Sequence, residues 1–178
     1  MNRRTMLLGL VVGVSCLSVM AVEKGTYFTT ANIWYEHPEK IYSTNYHAGR
    51  IIPAGTEVEV FYAKRGRVKF RIKDKKAGFL FTYVRKHSSL GFEEEFARLF
   101  SSENRFAKLS KKFSSKERAA VEEGKVVEGM SREAVLAAYG YPPSHKTPDL
   151  DDNLWIYWVK RMSTKEVVFK KGKVSSVR

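Results

Sequence analysis

The spacing of apolar positions changes twice along the chain, and each change predicts a different kind of element. From Tyr27 to Tyr83 apolar residues come in short alternating runs broken by Pro53-Ala54-Gly55 and Lys64-Arg65-Gly66, the pattern of a small all-β unit. From Phe92 the period becomes helical. Phe92, Phe96, Leu99 and Phe100 share one face behind Glu93-Glu94-Glu95, whose charge suits the start of a helix, and Phe106, Leu109 and Phe113 form a second set. Ser114 with Glu117 makes a capping box, and Gly124 closes the helix it opens over Lys116 to Glu123. Ser131 caps another helix, with Met130 and Val135 as its hydrophobic staple, and Gly140 followed by Pro142-Pro143 stops it after about two turns. Beyond the polar loop from Ser144 to Asn153, the segments Leu154 to Lys160, Lys165 to Lys170 and Lys173 to Val177 are rich in aromatic and β-branched residues. Their connections are too short for a crossover helix, so an antiparallel meander is expected.

The expected class is therefore α+β, with a β domain over 22–90, a helical connector over 91–113 and a second α+β domain over 114–178. No Pro-rich or Gly/Ser-rich linker separates them, so the two ends should pack together. The connector's phenylalanines should cover one sheet or fill the seam between two.

Within the β domain, a three-residue loop at Lys64-Arg65-Gly66 would pair Tyr62 with Val68, Val60 with Phe70 and Val58 with Ile72 on the core face. That register sends Arg67, Lys69, Arg71 and Lys73 to the other face, about 6.6 to 6.8 Å apart. Glu59 and Glu57 would answer Arg71 and Lys73, leaving Arg67 and Lys69 as the open part of an anion-binding strip, or of a merely solvated face.

Charge and the N-terminus decide what such a strip could meet. Asn2-Arg3-Arg4 precedes an uncharged apolar run from Met6 to Met20, the form of a secretory signal peptide over residues 1–21 cut between Ala21 and Val22. The rival is a lipoprotein cut before Cys16, making it the lipidation site; Gly13 stands where such signals carry a large apolar residue. Cys16 is the only cysteine, so a chain starting at Val22 has no disulfide, and no second apolar run predicts a transmembrane span. The net charge of +13 is uneven: Lys and Arg outnumber Asp and Glu by 13 to 6 over 22–90, balance at 7 each over 91–124, and lead by 10 to 6 over 125–178. An exported basic protein meets phospholipid, wall polymer and acidic proteins far more than nucleic acid, and the strip lacks the interleaved aromatics of a nucleic-acid face.

The Gly129-Met130-Ser131 start, the Tyr139-Gly140-Tyr141-Pro142-Pro143 stop and Trp155-x-Tyr157 resemble the SmpA/OmlA (BamE-like) family of small outer-membrane lipoproteins, over about the final third of the chain. The resemblance implies two helices on a three-stranded antiparallel sheet and a scaffold that touches partner subunits and anionic lipid. That family is normally lipidated and carries no N-terminal barrel. Ile51-Ile52-Pro53-Ala54-Gly55-Thr56-Glu57-Val58-Glu59-Val60 is similar to the loop and strand of bacterial SH3-like barrels.

No catalytic constellation is expected. His37, His47, His87 and His145 are scattered without ligand spacing, no nucleophile elbow or phosphate-cradling loop occurs, and neither metal nor cofactor is predicted. Asp149, Asp151 and Asp152 read as turn chemistry rather than a calcium or catalytic site. The expectation is a non-enzymatic periplasmic scaffold or assembly factor associated with the outer membrane, acting on an envelope protein partner and an anionic lipid or wall surface. Its partner-binding surface is expected at Tyr139, Gly140, Tyr141, Pro142, Trp155 and Tyr157. The rival is a peptidoglycan-binding module that uses the SH3-like domain.

Overall fold

Val58, Val60, Val68 and Phe70 alternate with charged residues along two neighbouring strands, and all four are fully buried in a computed structural model that describes residues 21–178. The expected signal peptide, apart from Ala21, and with it the possible lipidation site Cys16, lie outside the described residues.

The strands are β1 (Gly25–Thr29), β2 (Ile33–Tyr35), β3 (Ile41–Tyr42), β4 (Arg50–Ile52), β5 (Glu57–Lys64), β6 (Arg67–Ile72), β7 (Gly78–Thr82), β8 (Phe100–Ser101), β9 (Leu154–Lys160), β10 (Ser163–Lys170) and β11 (Lys173–Val177). The helices are α1 (Phe92–Leu99), α2 (Arg105–Leu109), α3 (Ser115–Glu122) and α4 (Arg132–Tyr139). A curled six-stranded sheet runs β3-β7-β6-β5-β1-β8, β2 pairs with β4, and β9, β10 and β11 form the expected antiparallel meander.

The β5–β6 hairpin departs from the expected register beyond Val60. Val58–Ile72 and Val60–Phe70 pair as predicted, but a bulge at Phe61 shifts the rest, so Tyr62 faces Lys69 and Ala63 faces Val68. The turn is the two-residue Arg65-Gly66, with φ of 51° and 72°, the primed geometry that matches strand twist. Tyr62 thereby leaves the core face for the charged one.

Two cores divide the connector. Phe96 and Phe100 join the valines of the six-stranded sheet, and β8 adds its short edge to β1. Phe113 is buried with Val121, Met130, Val135, Trp155, Tyr157 and Val167 in the core shared by α3, α4 and the C-terminal sheet, and Phe106 packs against it.

One carboxylate organises the start of both C-terminal helices. Glu117 Oε2 accepts from the Ser114 N–H (2.9 Å) and hydroxyl (3.0 Å), closing the capping box of α3, while Oε1 accepts from the N–H and hydroxyl of Ser131, the cap of α4, at 2.8 Å each. Burial alone would raise its pKa, yet the four donors from Ser131 and Ser114 outweigh that and hold it at about 2.

The end of α4 is closed from the other unit. Its last free carbonyls point at the segment between β1 and β4. Asn32 N–H donates to Ala137 O (2.9 Å), Asn32 Nδ2 to Ala138 O (3.1 Å) and to Val121 O of α3 (2.7 Å), and Asn32 Oδ1 accepts from Ala54 N–H (2.9 Å). Asn45 Nδ2 donates to Tyr139 O at 2.7 Å, and the Tyr157 hydroxyl to Gly140 O at 3.0 Å. Gly140, with φ of 74°, lets this happen, because a Cβ there would stand 2.8 Å from Asn45 Nδ2. A second set of bonds lies nearby: Ser89 N–H donates to Ser144 Oγ (2.8 Å) and the His145 ring Nδ1 to His87 O (2.7 Å).

Asn32→Asp places a carboxylate oxygen against two carbonyls and should lower unfolding free energy by roughly 3 kcal/mol, read by denaturant titration. Glu117→Gln should cost roughly 2 to 3 kcal/mol at neutral pH. Because the folded-state pKa lies below the ordinary 4.5, the stability Glu117 supplies is present above pH 4.5 and lost as pH falls toward 2, and the Gln variant should lack that loss.

Candidate functional site

Two surfaces carry the chain's exposed chemistry. On the outer face of the six-stranded sheet, Arg71 pairs with Glu59 (2.6 Å) and Lys73 with Glu57 (2.8 Å), as the alternation anticipated. Arg67 and Lys69 are exposed and, among the described residues, in no ion pair. The bulge at Phe61 alters what surrounds them. It brings exposed Lys64 opposite Arg67 and sets the Tyr62 ring under Lys69, 5.7 Å from the ammonium, while Phe61 itself stays 41% exposed. The sequence register had placed Tyr62 in the core and missed this mixing of rings and cations, since nothing local announces a bulge.

The second surface lies along the seam. Two adjoining hollows of about 340 and 440 Å³ share Tyr42, Tyr46 and Arg161. Trp34, Lys40 and Lys160 line the first, and Thr44, Lys86, Trp158 and Met162 the second. Tyr46 meets Trp158 edge-on at 6.5 Å between ring centres, and Lys146 stands over the Trp158 ring at 5.7 Å. Met162, at the tip of the β9–β10 hairpin, is 89% exposed.

His47 anchors the wall behind these hollows. Its Nε2 lies 2.8 Å from Tyr139 O, so that nitrogen carries the proton and donates, and the ring packs among Trp34, Tyr139 and Tyr157. Its Nδ1 is buried without a partner, as is Thr44 Oγ1. Burial lowers the His47 pKa to about 3, assisted by Lys165 and opposed by the bond to Tyr139. In sequence His47 was one of four scattered histidines; its hydrogen-bond acceptor, Tyr139 O, is 92 residues away, beyond any local signal.

The expected partner-binding surface at the end of α4 and on β9 needs correction. Trp155 and Tyr157 are 0% exposed, Tyr139 is 5% exposed, and Gly140 and Pro142 are buried, with only Tyr141 half-buried. The period of two in a strand explains the reversal: Trp155 and Tyr157 both turn into the core, so Leu154, Ile156 and Trp158 take the other face. Trp158 thereby reaches the seam.

The acidic loop is organised by a cation of the chain's own. The Arg132 guanidinium donates to the carbonyls of Leu150 (2.6 Å), Asp151 (2.9 Å) and Asp152 (2.7 Å) and stands 4.5 Å from the centre of the Phe169 ring. Among the described residues no group of three or more His, Cys, Asp and Glu is placed to hold a metal, and no helix is long and apolar enough to cross a membrane. Glu95, buried against the Ser88 hydroxyl, has its pKa raised by desolvation, with the Ser88 bond opposing.

No protein-family profile, curated protein or solved structure matches the chain.

His47 yields a prediction with a defined sign. Its folded-state pKa lies below the ordinary 6.5, so the unfolded chain binds the extra proton first and stability falls as pH drops from 6.5 toward 3, by on the order of 4 kcal/mol in all. His47→Gln, which can keep a donor toward Tyr139 O, should flatten the stability profile between pH 6.5 and 4.5, above the range in which Glu117 contributes. Denaturant midpoints across pH check this.

Proposed function

We propose that this protein is a non-enzymatic scaffold or assembly factor of the cell envelope, exported to the periplasm and working beside the outer membrane through contacts with a protein partner and an anionic surface. The observation that carries the reading is the outer face of the six-stranded sheet. Lys64, Arg67 and Lys69 stand exposed there beside Phe61 and Tyr62, an arrangement in which cations attract anionic headgroups while rings settle at the interface. Each cation near such a surface contributes on the order of 1 kcal/mol, enough to orient the molecule but not to anchor it.

The finer architecture belongs to the same proposal. The N-terminal sheet would be an SH3-like barrel, and α3 and α4 would lie on the C-terminal sheet in the SmpA/OmlA manner. The shared core of Met130, Val135, Trp155 and Tyr157 supports the second part. The bonds that join the units suit a rigid scaffold, because a protein that positions others must hold its own surfaces at fixed angles.

Sedimentation with anionic and with neutral phospholipid vesicles tests the reading. Binding should require the anionic lipid, weaken with salt, and fall about tenfold or more in the double variant Arg67→Glu, Lys69→Glu, whose exposed positions leave the core untouched. Binding to purified cell-wall sacculi with none to vesicles would replace the membrane by the wall polymer as the surface recognised.

A further inference from the structure

The seam hollows carry a chemistry that the scaffold reading does not use. Their floor and walls are aromatic, from Tyr42, Tyr46, Trp158 and Trp34, and their rim is cationic, from Lys40, Lys86, Lys160 and Arg161. Among the described residues none of these four cations is in an ion pair, and Glu36 is the one carboxylate in either lining. Solvated surface lysines need no partner, so charge alone would say little. The packing of two lining residues, Thr44 and Tyr42, shows which groups face the hollows.

Thr44 lines the second hollow and is only 3% exposed, yet its Oγ1 has no hydrogen-bond partner in the protein. That oxygen is also shut off from solvent, so Thr44 presents no free hydroxyl to a ligand. Tyr42 meanwhile is 38% exposed, a ring held at the surface with its neighbour Ile41 in the core at 4%. Strand β3 lies parallel to β7, Ile41 opposite Phe81 and Tyr42 opposite Thr82, so the backbone that buries Ile41 obliges Tyr42 to face outward.

The dimensions and polarity narrow the ligand. Each hollow lies within the lower range of small-ligand sites, and the two share residues, so together they form an open trough rather than a closed pocket. Flat rings with hydroxyl tips suit the apolar faces and ring hydroxyls of sugars, while the cationic rim calls for negative charge on the ligand.

We propose that the seam trough is a binding site for an acidic glycan, with sugar rings on Tyr42, Tyr46 and Trp158 and its carboxylates met by Arg161, Lys40 and Lys86. Arg161 is central because it lines both hollows, and its fork can grip a carboxylate through two donors. Both units contribute, residues 34–48 and 84–87 from one and 158–162 from the other, so the trough exists only while the seam is closed.

The test uses purified protein and two soluble probes, an oligogalacturonate and a neutral gluco-oligosaccharide of equal length, followed by tryptophan fluorescence and calorimetry. The acidic oligomer should bind saturably and lose affinity with salt, and the neutral one should bind at least tenfold more weakly. Arg161→Glu, at an exposed hairpin position that leaves the core intact, should weaken the acidic oligomer about tenfold, the scale of one charged contact, and Tyr46→Ala should do likewise. The pair Arg67→Glu, Lys69→Glu should leave glycan binding unchanged, and Arg161→Glu should leave vesicle binding unchanged, which separates this site from the sheet face. Absence of saturable binding by the acidic oligomer, equal binding of the neutral one, an unaltered Arg161→Glu, or binding of single-stranded oligonucleotide or anionic vesicles in place of the glycan with the same sensitivity to Arg161→Glu would each overturn the proposal.

Discussion

The structure depends on how the C-terminal end of α4 is closed. A helix leaves its last carbonyls unpaired, and burying them without donors would cost several kcal/mol. Here the donors are supplied from more than ninety residues away in sequence, by Asn32, Asn45 and His47. Asn32 is the tightest case: its one side chain serves Ala138, Val121 and Ala54, so it ties together the ends of both C-terminal helices and the loop before β5. The two units are therefore joined by hydrogen bonds that neither could satisfy alone. The seam behaves as part of the fold, and whatever it exposes is held at fixed geometry.

The same device sets the acid sensitivity of the molecule. His47 is kept neutral by burial while donating to Tyr139, and Glu117 is kept ionised by the two serine caps it serves. One group resists gaining a proton because it is dry, the other because its charge is used four times over. Both lose their contribution on acidification, in overlapping ranges, and they sit at opposite ends of α4. Acid should loosen that helix at its start and its finish together.

The exposed surfaces follow from small backbone decisions. A single extra residue at Phe61 turns a purely charged strand face into one where rings and cations alternate, and the parity of β9 decides that Trp158, rather than Trp155 or Tyr157, reaches solvent. Neither change alters composition or net charge. Both alter which class of partner the face can hold, since a cation beside a ring binds anions that also offer an apolar side.

By itself the sequence determined the elements whose causes are local. Ser114 with Glu117, and Ser131 with its Met130 and Val135 staple, marked two helix starts, Gly140 marked a stop, and short polar turns fixed the meander from Leu154 to Val177, because caps and tight turns depend on residues a few positions apart. Alternation also placed Val58, Val60 and Phe70 in a core and paired Glu59 with Arg71. Only the tertiary structure decided which face of β9 turns into the core, where the Phe61 bulge falls, and that Asn32, Asn45 and His47 would meet α4. Those outcomes turn on which buried carbonyl finds which distant donor, a competition settled when the two cores come together and not before.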